Sequence, residues 1–263
     1  MLIEVDRESY AKYFSCAPHP FVSEQFIELN SAKADNIVRL VDQRDSVTIG
    51  LVAGIKDGIL KSPFSAPFGG FHFSKENIYI SEIDRFIDAL QSFIVLEQYK
   101  GIELIIPPDI YHQTFNAKVV SSLLRHNFRS ILPEITNWVD LQQFNESFTQ
   151  KNSREYYRQA VRNKLSFSLS SDEAEMKEIY DLIFQNRTRL GRPIYMTLKD
   201  ILNTGKLWPV DFFKVCSSDE VIVASAIFYR FHPKICYAVF WGDNEAGRPL
   251  RAMDFLVFCL WSY

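Results

Sequence analysis

The chain has 263 residues, which is about 1.75 times the ~150 residues of a typical domain. Hydrophobic residues make up 47% of the sequence and charged residues 23%, so the composition excludes a disordered, collagen-like or coiled-coil chain. The formal net charge of −3 is too near neutral for a protein whose whole surface coats nucleic acid or anionic lipid, so any basic surface must be local.

The first half of the chain predicts ten elements in the order βααβββαβαβ. In chain order they are a strand over Leu2–Val5, helices over Arg7–Phe14 and Ser23–Asn30, strands over Asn36–Asp42, Val47–Ile55 and Ile59–Ser62, a helix over Ile80–Lys100, a strand over Ile102–Ile106, a helix over Phe115–His126 and a strand over Ile131–Leu141. Asp57-Gly58 between two apolar runs is typical of a tight hairpin. Apolar residues at helical spacing predict the long helix, which Gly101 ends.

The second half repeats the beginning of this order. A polar helical segment over Gln142–Lys164 is expected to form a connection. After it come a strand over Ser166–Ser170, helices over Glu173–Leu190 and from Thr197 to Thr204, strands over Asp211–Cys216, Val221–Tyr229 and Lys234–Gly242, and a helix over Arg248–Tyr263 with Pro249 in its first turn. The expected domains are therefore a first unit at 1–141, a connection at 142–164 and a second unit at 165–263.

The second predicted unit reads βααβββα and stops before the last three elements of the first. Its final helix ends in the apolar run Phe255–Trp261, with no following element to cover it. We expect either that the chain is a shortened version of a longer protein or that another chain covers this helix.

The cysteines and histidines do not indicate a metal centre. Cys16, Cys216, Cys236 and Cys259 form no CxxC pair and are expected to be buried, reduced thiols rather than disulfides or metal ligands. Five scattered histidines (His19, His72, His112, His126 and His232) show no zinc-binding spacing. The acidic start lacks the pattern of a signal peptide, and no apolar run is long enough to span a bilayer, so a cytoplasmic protein without membrane insertion is expected.

Four stretches carry a family resemblance in addition to the element order. They are Leu60–Phe71, Ser153–Ala160, Tyr180–Pro193 and Trp241-Gly242-Asp243. The order resembles the GNAT acyltransferase fold, and two such units in tandem resemble the Fem-type aminoacyltransferases and bacterial relatives with FemAB-like or BioF2-like acetyltransferase domains. The expected fold is therefore α/β (α+β), with two tandem GNAT-like units, each a mixed sheet flanked by helices, the second lacking its C-terminal βαβ.

The resemblance implies transfer of an acyl or aminoacyl group to an amine by direct attack, with no metal and no covalent enzyme intermediate. The implied donor is acetyl-CoA, another acyl-CoA or a charged carrier, and the implied acceptor is a small-molecule or peptide amine. Such a site must orient the amine, remove its proton and stabilise the oxyanion. The alternative is a catalytically degenerate pair that binds a ligand or partner, because Arg251 and Met253 replace the small residues that let backbone approach a phosphate.

Candidate donor-binding and catalytic residues lie near the end of the second unit. Gly247, Arg248 and Arg251 are the candidates for holding an anionic donor at a helix N-terminus, and the alternative is a solvated first turn. Asp243 is the candidate acceptor of the amine proton, and Tyr237 and Tyr195 are candidate proton donors to a leaving group. Each of these three side chains also has an ordinary structural alternative as a turn or core residue.

The Pro- and Gly-rich loop after Ser62 is the candidate substrate-binding segment. Its candidate residues are Phe64, Ser65, Phe68, Gly69 and Gly70, and the resembling stretches of the second half add Arg187 and Trp241. The alternative is that Phe64, Phe68 and Phe71 pack the junction between the two units.

A basic row lies on the predicted connection. Arg154, Arg158 and Arg162 recur every four residues and so share one helix face. This row could contact tRNA phosphates or a phosphorylated lipid-linked acceptor. A solvated helix face is the favoured interpretation.

Overall fold

The structure, a computed structural model, describes residues 2–15, 17, 19–43, 46–111, 114–145, 147–148 and 150–263. The expectations for Cys16 and His112 lie outside these residues. The chain divides into two compact units, Met1–Thr136 and Asn137–Tyr263. No helix of the described residues is long and apolar enough to cross a membrane.

The first unit begins with helices and antiparallel strands and continues with a long helical crossover. Its elements are β1 (Leu2–Glu4), α1 (Arg7–Tyr13), α2 (Glu24–Leu29), β2 (Asn36–Asp42), β3 (Ile49–Lys56), β4 (Ile59–Ser62), β5 (Phe71–Phe73), α3 (Ile80–Leu96), β6 (Gly101–Leu104) and α4 (Asn116–Arg125), with short 3-10 turns at Pro20–Val22 and Ser31–Lys33. The strand order is β1-β2-β3-β4-β6, and β5 also pairs with β3.

The β3–β4 hairpin and the β4–α3–β6 crossover define this sheet. Asp57 and Gly58 both have positive φ, 55° and 79°, as the tight turn between β3 and β4 requires. Only β4 and β6 run parallel, since α3 returns the chain to the same end of the sheet. One face of α3 places Ile83, Phe86 and Leu90 in the core with the buried residues Leu51 and Ala53 of strand β3.

The second unit is an antiparallel sheet with helices on both faces. Its elements are α5 (Lys151–Arg162), β7 (Ser166–Ser170), α6 (Glu173–Arg189), α7 (Leu198–Thr204), β8 (Val210–Cys216), β9 (Ile222–His232), β10 (Ile235–Asp243) and α8 (Ala252–Ser262). The strand order is β10-β9-β8-β7.

Alternation along β8 and β9 divides the core of the second unit between α8 and α6. Leu256 and Ala252 of α8 pack on Phe213 and its neighbours on one face. On the other face, α6 lies close enough for Ser225 Oγ of β9 to donate to the carbonyl of Ile179 at 3.1 Å. Both faces of the sheet are therefore covered where the strands are longest.

Two expectations about secondary structure were wrong, and one strand was missed. Residues 131–141 form no strand, because Pro133 has no N–H for a ladder and no neighbouring strand offers a partner, so Ile131 and Ile135 are 88% and 90% exposed. Helix α5 covers only Lys151–Arg162 of the segment 142–164, and it packs on α8 within the second unit. The short strand β5 was not predicted.

The last helix begins later than predicted. Arg251 is left-handed, with φ 59°, so the turn that contains Pro249 cannot join the helix and α8 starts at Ala252.

The three described cysteines are free, as expected, but they are not buried core residues. Cys236 is exposed, and Cys216 and Cys259 are only partly buried.

Candidate functional site

The carboxyl end of β10 holds a carboxylate fixed by two neighbours. Asp243 is partly buried, and its Oδ1 accepts a hydrogen bond of 3.0 Å from Nδ2 of Asn186. The same amide donates to the backbone carbonyl of Asp243 at 2.6 Å. Arg248 Nε lies 3.8 Å from Oδ1, whereas Oδ2 accepts no hydrogen bond from the described residues. One carboxylate oxygen is thus held in place, and the other is not engaged by a hydrogen bond from the described residues.

Asn186 reaches β10 because Gly242 has no side chain. Asn186 lies in the last turn of α6 and is 7% exposed. A Cβ on Gly242 would come within 2.9 Å of Asn186 Cγ, which is closer than real contacts allow. The sequence analysis did not identify Asn186, although a polar residue on the buried face of an amphipathic helix was a signal that could have found it.

The loop between β10 and α8 uses its backbone donors internally. Gly247 N–H donates to Asn244 Oδ1 at 2.9 Å, and Ala252 N–H donates to the carbonyl of Gly247 at 3.0 Å. Arg251 N–H donates to the carbonyl of Arg248. These three N–H groups are therefore not available to bind a pyrophosphate. Of the residues predicted to bind the acyl donor, only Arg248 has a side chain beside Asp243, and that side chain is exposed.

Arg251 is directed to another neighbour. Its guanidinium lies over the ring of Tyr156 of α5, 3.8 Å from the centroid. Two amides of α5 also bond this loop: Gln159 donates to the carbonyl of Pro249, and Asn163 to that of Leu250. The loop is therefore fixed on α5.

The two candidate tyrosines do not join Asp243. Tyr237 pairs with Tyr229 across the strands and precedes Asp243 by six residues, a separation of about 20 Å along an extended strand. Tyr195 is 90% exposed, in the segment between α6 and α7. The phenol of Tyr237 therefore lies too far along β10 to share a site with Asp243, and no hydrogen bond between described residues joins Tyr195 to Asp243.

Arg187 and Trp241 lie beside the Asp243 cluster in sequence. Arg187 follows Asn186 on α6 and donates from Nε to the carbonyl of Arg192 at 3.3 Å. Trp241 is 42% exposed on β10, two residues before Asp243. The structure thus places both substrate-binding candidates of the second unit near the end of β10.

In the first unit, the loop after Ser62 packs into its own unit. Phe68 is 3% exposed and its ring contacts those of His19, Phe21 and Tyr111. Gly69 N–H donates to the carbonyl of Ile105, where β4 and β6 part.

The other residues of this loop are also engaged. Ser65 donates to Asn30 at 3.1 Å, Gly70 N–H donates to Ser62 Oγ at 3.1 Å, and Phe64 packs on Gly54. The cavity beside the loop is about 10 Å³, which is no more than the space of one water. The rings expected at a junction between units thus pack within the first unit.

The N-terminus of α3 already holds a carboxylate. Glu82 accepts the backbone N–H of Tyr79 at 2.9 Å, and this hydrogen bond lowers the pKa of the Glu82 carboxyl. The negative charge of Glu82 would repel a second anion at this helix end.

The basic row on α5 is exposed and incompletely neutralised. Glu155 pairs with Arg162 at 3.1 Å and with Arg158 at 4.0 Å. Arg154 forms no ion pair with any residue that the structure describes. The three arginines thus have one carboxylate among them. They lie on the helix that bonds the loop containing Arg248.

No family model and no curated protein matches the sequence. Among solved structures, the crystal structure of FemX is similar with a TM-score of 0.58 and 9% identity, over 100% of this chain and 85% of FemX. L-PGS from Bacillus licheniformis is similar with a TM-score of 0.50 and 11% identity, over 97% of this chain and 70% of that protein. The chain therefore has a FemX-like α+β fold, which confirms the fold class expected from the sequence.

Proposed function

We propose that the chain transfers an acyl or aminoacyl group from a carrier to an amine, at a site built around Asp243. The FemX-like fold supports the reaction class, and the geometry of Asp243 is the observation that carries the site. Asn186 and Arg248 hold one carboxylate oxygen, while the other accepts no hydrogen bond from the described residues. This arrangement suits a group that must accept a proton from a defined direction.

In the proposed step the neutral amine attacks the carbonyl carbon of the carrier ester or thioester. The new C–N bond forms, the bond to the carrier oxygen or sulfur breaks, and the products are an amide and the free carrier. Asp243 Oδ2 accepts the proton that the amine nitrogen loses and returns it to the leaving oxygen or sulfur. Asn186 and Arg248 act as positioning residues because their side chains contact Asp243 and have no part in the bonds that form or break.

We propose a charged tRNA as the first candidate for the acyl donor. Arginine side chains would bind its phosphates. The backbone donors at Gly247, Arg251 and Ala252 are already bonded, so the usual acyl-CoA cradle does not fit this loop. The exposed row Arg154, Arg158 and Arg162 lies on the same helix that bonds the loop, on a different face from Gln159 and Asn163, and extends for about 12 Å. Acyl-CoA, expected from the resemblance, would have to bind through side chains alone.

The function is tested with two labelled donors and a pool of primary amines and short peptides. A mixture of aminoacyl-tRNAs carrying labelled amino acids is one donor and labelled acetyl-CoA is the other, and mass spectrometry reads amide products. We expect label in amide from the tRNA donor, with a rate about 10²- to 10⁴-fold lower in Asp243→Asn. Asp219→Asn, the same change in an exposed turn of the second unit, serves as the control.

Three outcomes separate the alternatives. Amide formation from acetyl-CoA alone would assign acyl-CoA as the donor. Binding of either donor without any amide product would favour the catalytically degenerate alternative. Full activity in Asp243→Asn would remove Asp243 from the reaction.

A further inference from the structure

The second unit contains a cavity that the proposed reaction does not use. It has a volume of about 260 Å³ and lies between α8 and the segment that precedes and opens α5. Its apolar lining is Phe144, Phe148, Met253, Val257, Phe258 and Trp261, and its polar lining is Ser147, Ser153 and Asp254. This size suits a small molecule with a body of several carbons.

Aromatic rings surround the cavity on several sides. Phe148 stacks on Phe258 at 5.4 Å between centroids, and Phe144 meets Phe258 edge-on at 5.8 Å. Phe144 also meets Trp261 edge-on at 5.7 Å. These rings give the cavity an apolar wall along which the carbon chain of a ligand can pack.

Among the described residues of this lining, Asp254 is the acidic group. It forms no ion pair with any described residue, and burial raises the pKa of its carboxyl. The positive charge of Arg251 acts in the opposite direction, but that guanidinium lies over Tyr156. A partly desolvated carboxylate without a counter-ion is stabilised by any cation that enters the cavity.

We propose that this cavity binds a primary ammonium ion that carries an apolar chain. The ammonium pairs with the Asp254 carboxylate and the chain lies among the rings of Phe144, Phe148 and Phe258. At the mouth, Ser147 Oγ already donates to Asn145 Oδ1, which leaves the Ser147 oxygen free to accept an ammonium N–H. A primary ammonium, with three donors, uses these oxygens better than a quaternary one.

This inference does not depend on the transferase reaction. The cavity shares no residue with the Asp243 cluster, and the experiment measures binding rather than turnover.

The test compares n-pentylammonium with pentan-1-ol, which has the same chain but no charge. Ligand-observed NMR titrations of the full chain at neutral pH give both dissociation constants. We expect the ammonium to bind about tenfold more tightly than the alcohol. Asp254→Asn should bring the two affinities to within about twofold, while Asp219→Asn in an exposed turn should leave the tenfold preference intact. Val257→Trp should fill the cavity and weaken both ligands.

Three results would overturn the proposal. They are equal affinity of the unmodified protein for the two ligands, no binding of either, and a preference for the ammonium that survives in Asp254→Asn. The comparison of ligands on the unmodified protein requires no variant, so it holds even if a substitution prevents folding.

Discussion

The contact between Asn186 and Asp243 can be tested by placing a second carboxylate in it. In Asn186→Asp an oxygen replaces the amide nitrogen that lies 3.0 Å from Asp243 Oδ1. Two unit charges at that distance repel by about 5 kcal/mol at an effective dielectric constant of about 20. The repulsion disappears if one carboxyl of the pair takes up a proton. The loss in free energy of unfolding therefore cannot exceed the free energy of that protonation, which is about 4 kcal/mol at pH 7 and about 1.5 kcal/mol at pH 5.

The stability of the Asn186→Asp variant should depend on pH, and proton uptake by the pair determines the direction. One carboxyl of the pair has its pKa raised in the folded variant, so the variant loses stability as the pH rises and regains it as the pH falls. We expect urea unfolding to show a deficit, relative to the unmodified protein, that is about 2–3 kcal/mol larger at pH 7 than at pH 5. Asn152→Asp, on the exposed start of α5, should change stability by less than about 0.5 kcal/mol. A deficit for Asn186→Asp that is small, or equal at both pH values, would refute the contact.

Three further predictions concern stability. Glu24→Gln removes the negative charge and one of the two oxygens that accept from a largely buried Arg39, at 2.9 and 2.7 Å, and should cost about 3 kcal/mol in urea unfolding; an unchanged midpoint would contradict it. Burial raises the pKa of Tyr229 to about 12, so stability should fall by up to about 3 kcal/mol between pH 10 and 12. Tyr229→Phe should remove that fall and the exposed control Tyr195→Phe should not. Gly69→Val should lower the Tm, because its Cβ would lie 2.6 Å from the backbone of Pro63; an unchanged Tm would contradict this packing.

The sequence correctly predicted those helices and turns whose conformation depends mainly on their own residues. Asp57-Gly58 predicted the β3–β4 hairpin because few residue pairs accept two positive φ angles. The spacing of Ile83, Phe86 and Leu90 predicted α3 because the buried stripe of a helix repeats with its turn. The order of such elements then predicted an α+β fold with sheets flanked by helices, and the FemX-like fold confirms that class.

Other features depend on partners that a sequence does not show. The apolar residues of 131–141 predicted a strand, but the pattern contains no information on whether a neighbouring strand exists. Arg251 was expected to face a ligand, and only the packing of α5 reveals the ring of Tyr156 beneath it. Asn186 and Asp243 are 57 residues apart in the chain, so their contact becomes visible only when α6 lies on β10.

The central claim is that the Asp243 carboxylate accepts the amine proton during amide formation. The most direct measurement is the single-turnover rate of label transfer from aminoacyl-tRNA to the amine pool, with donor binding measured on the same preparations. We expect Asp243→Asn to bind the donor as the unmodified protein does but to form amide at least about 100-fold more slowly. Equal single-turnover rates for Asp243→Asn and the unmodified protein would contradict it.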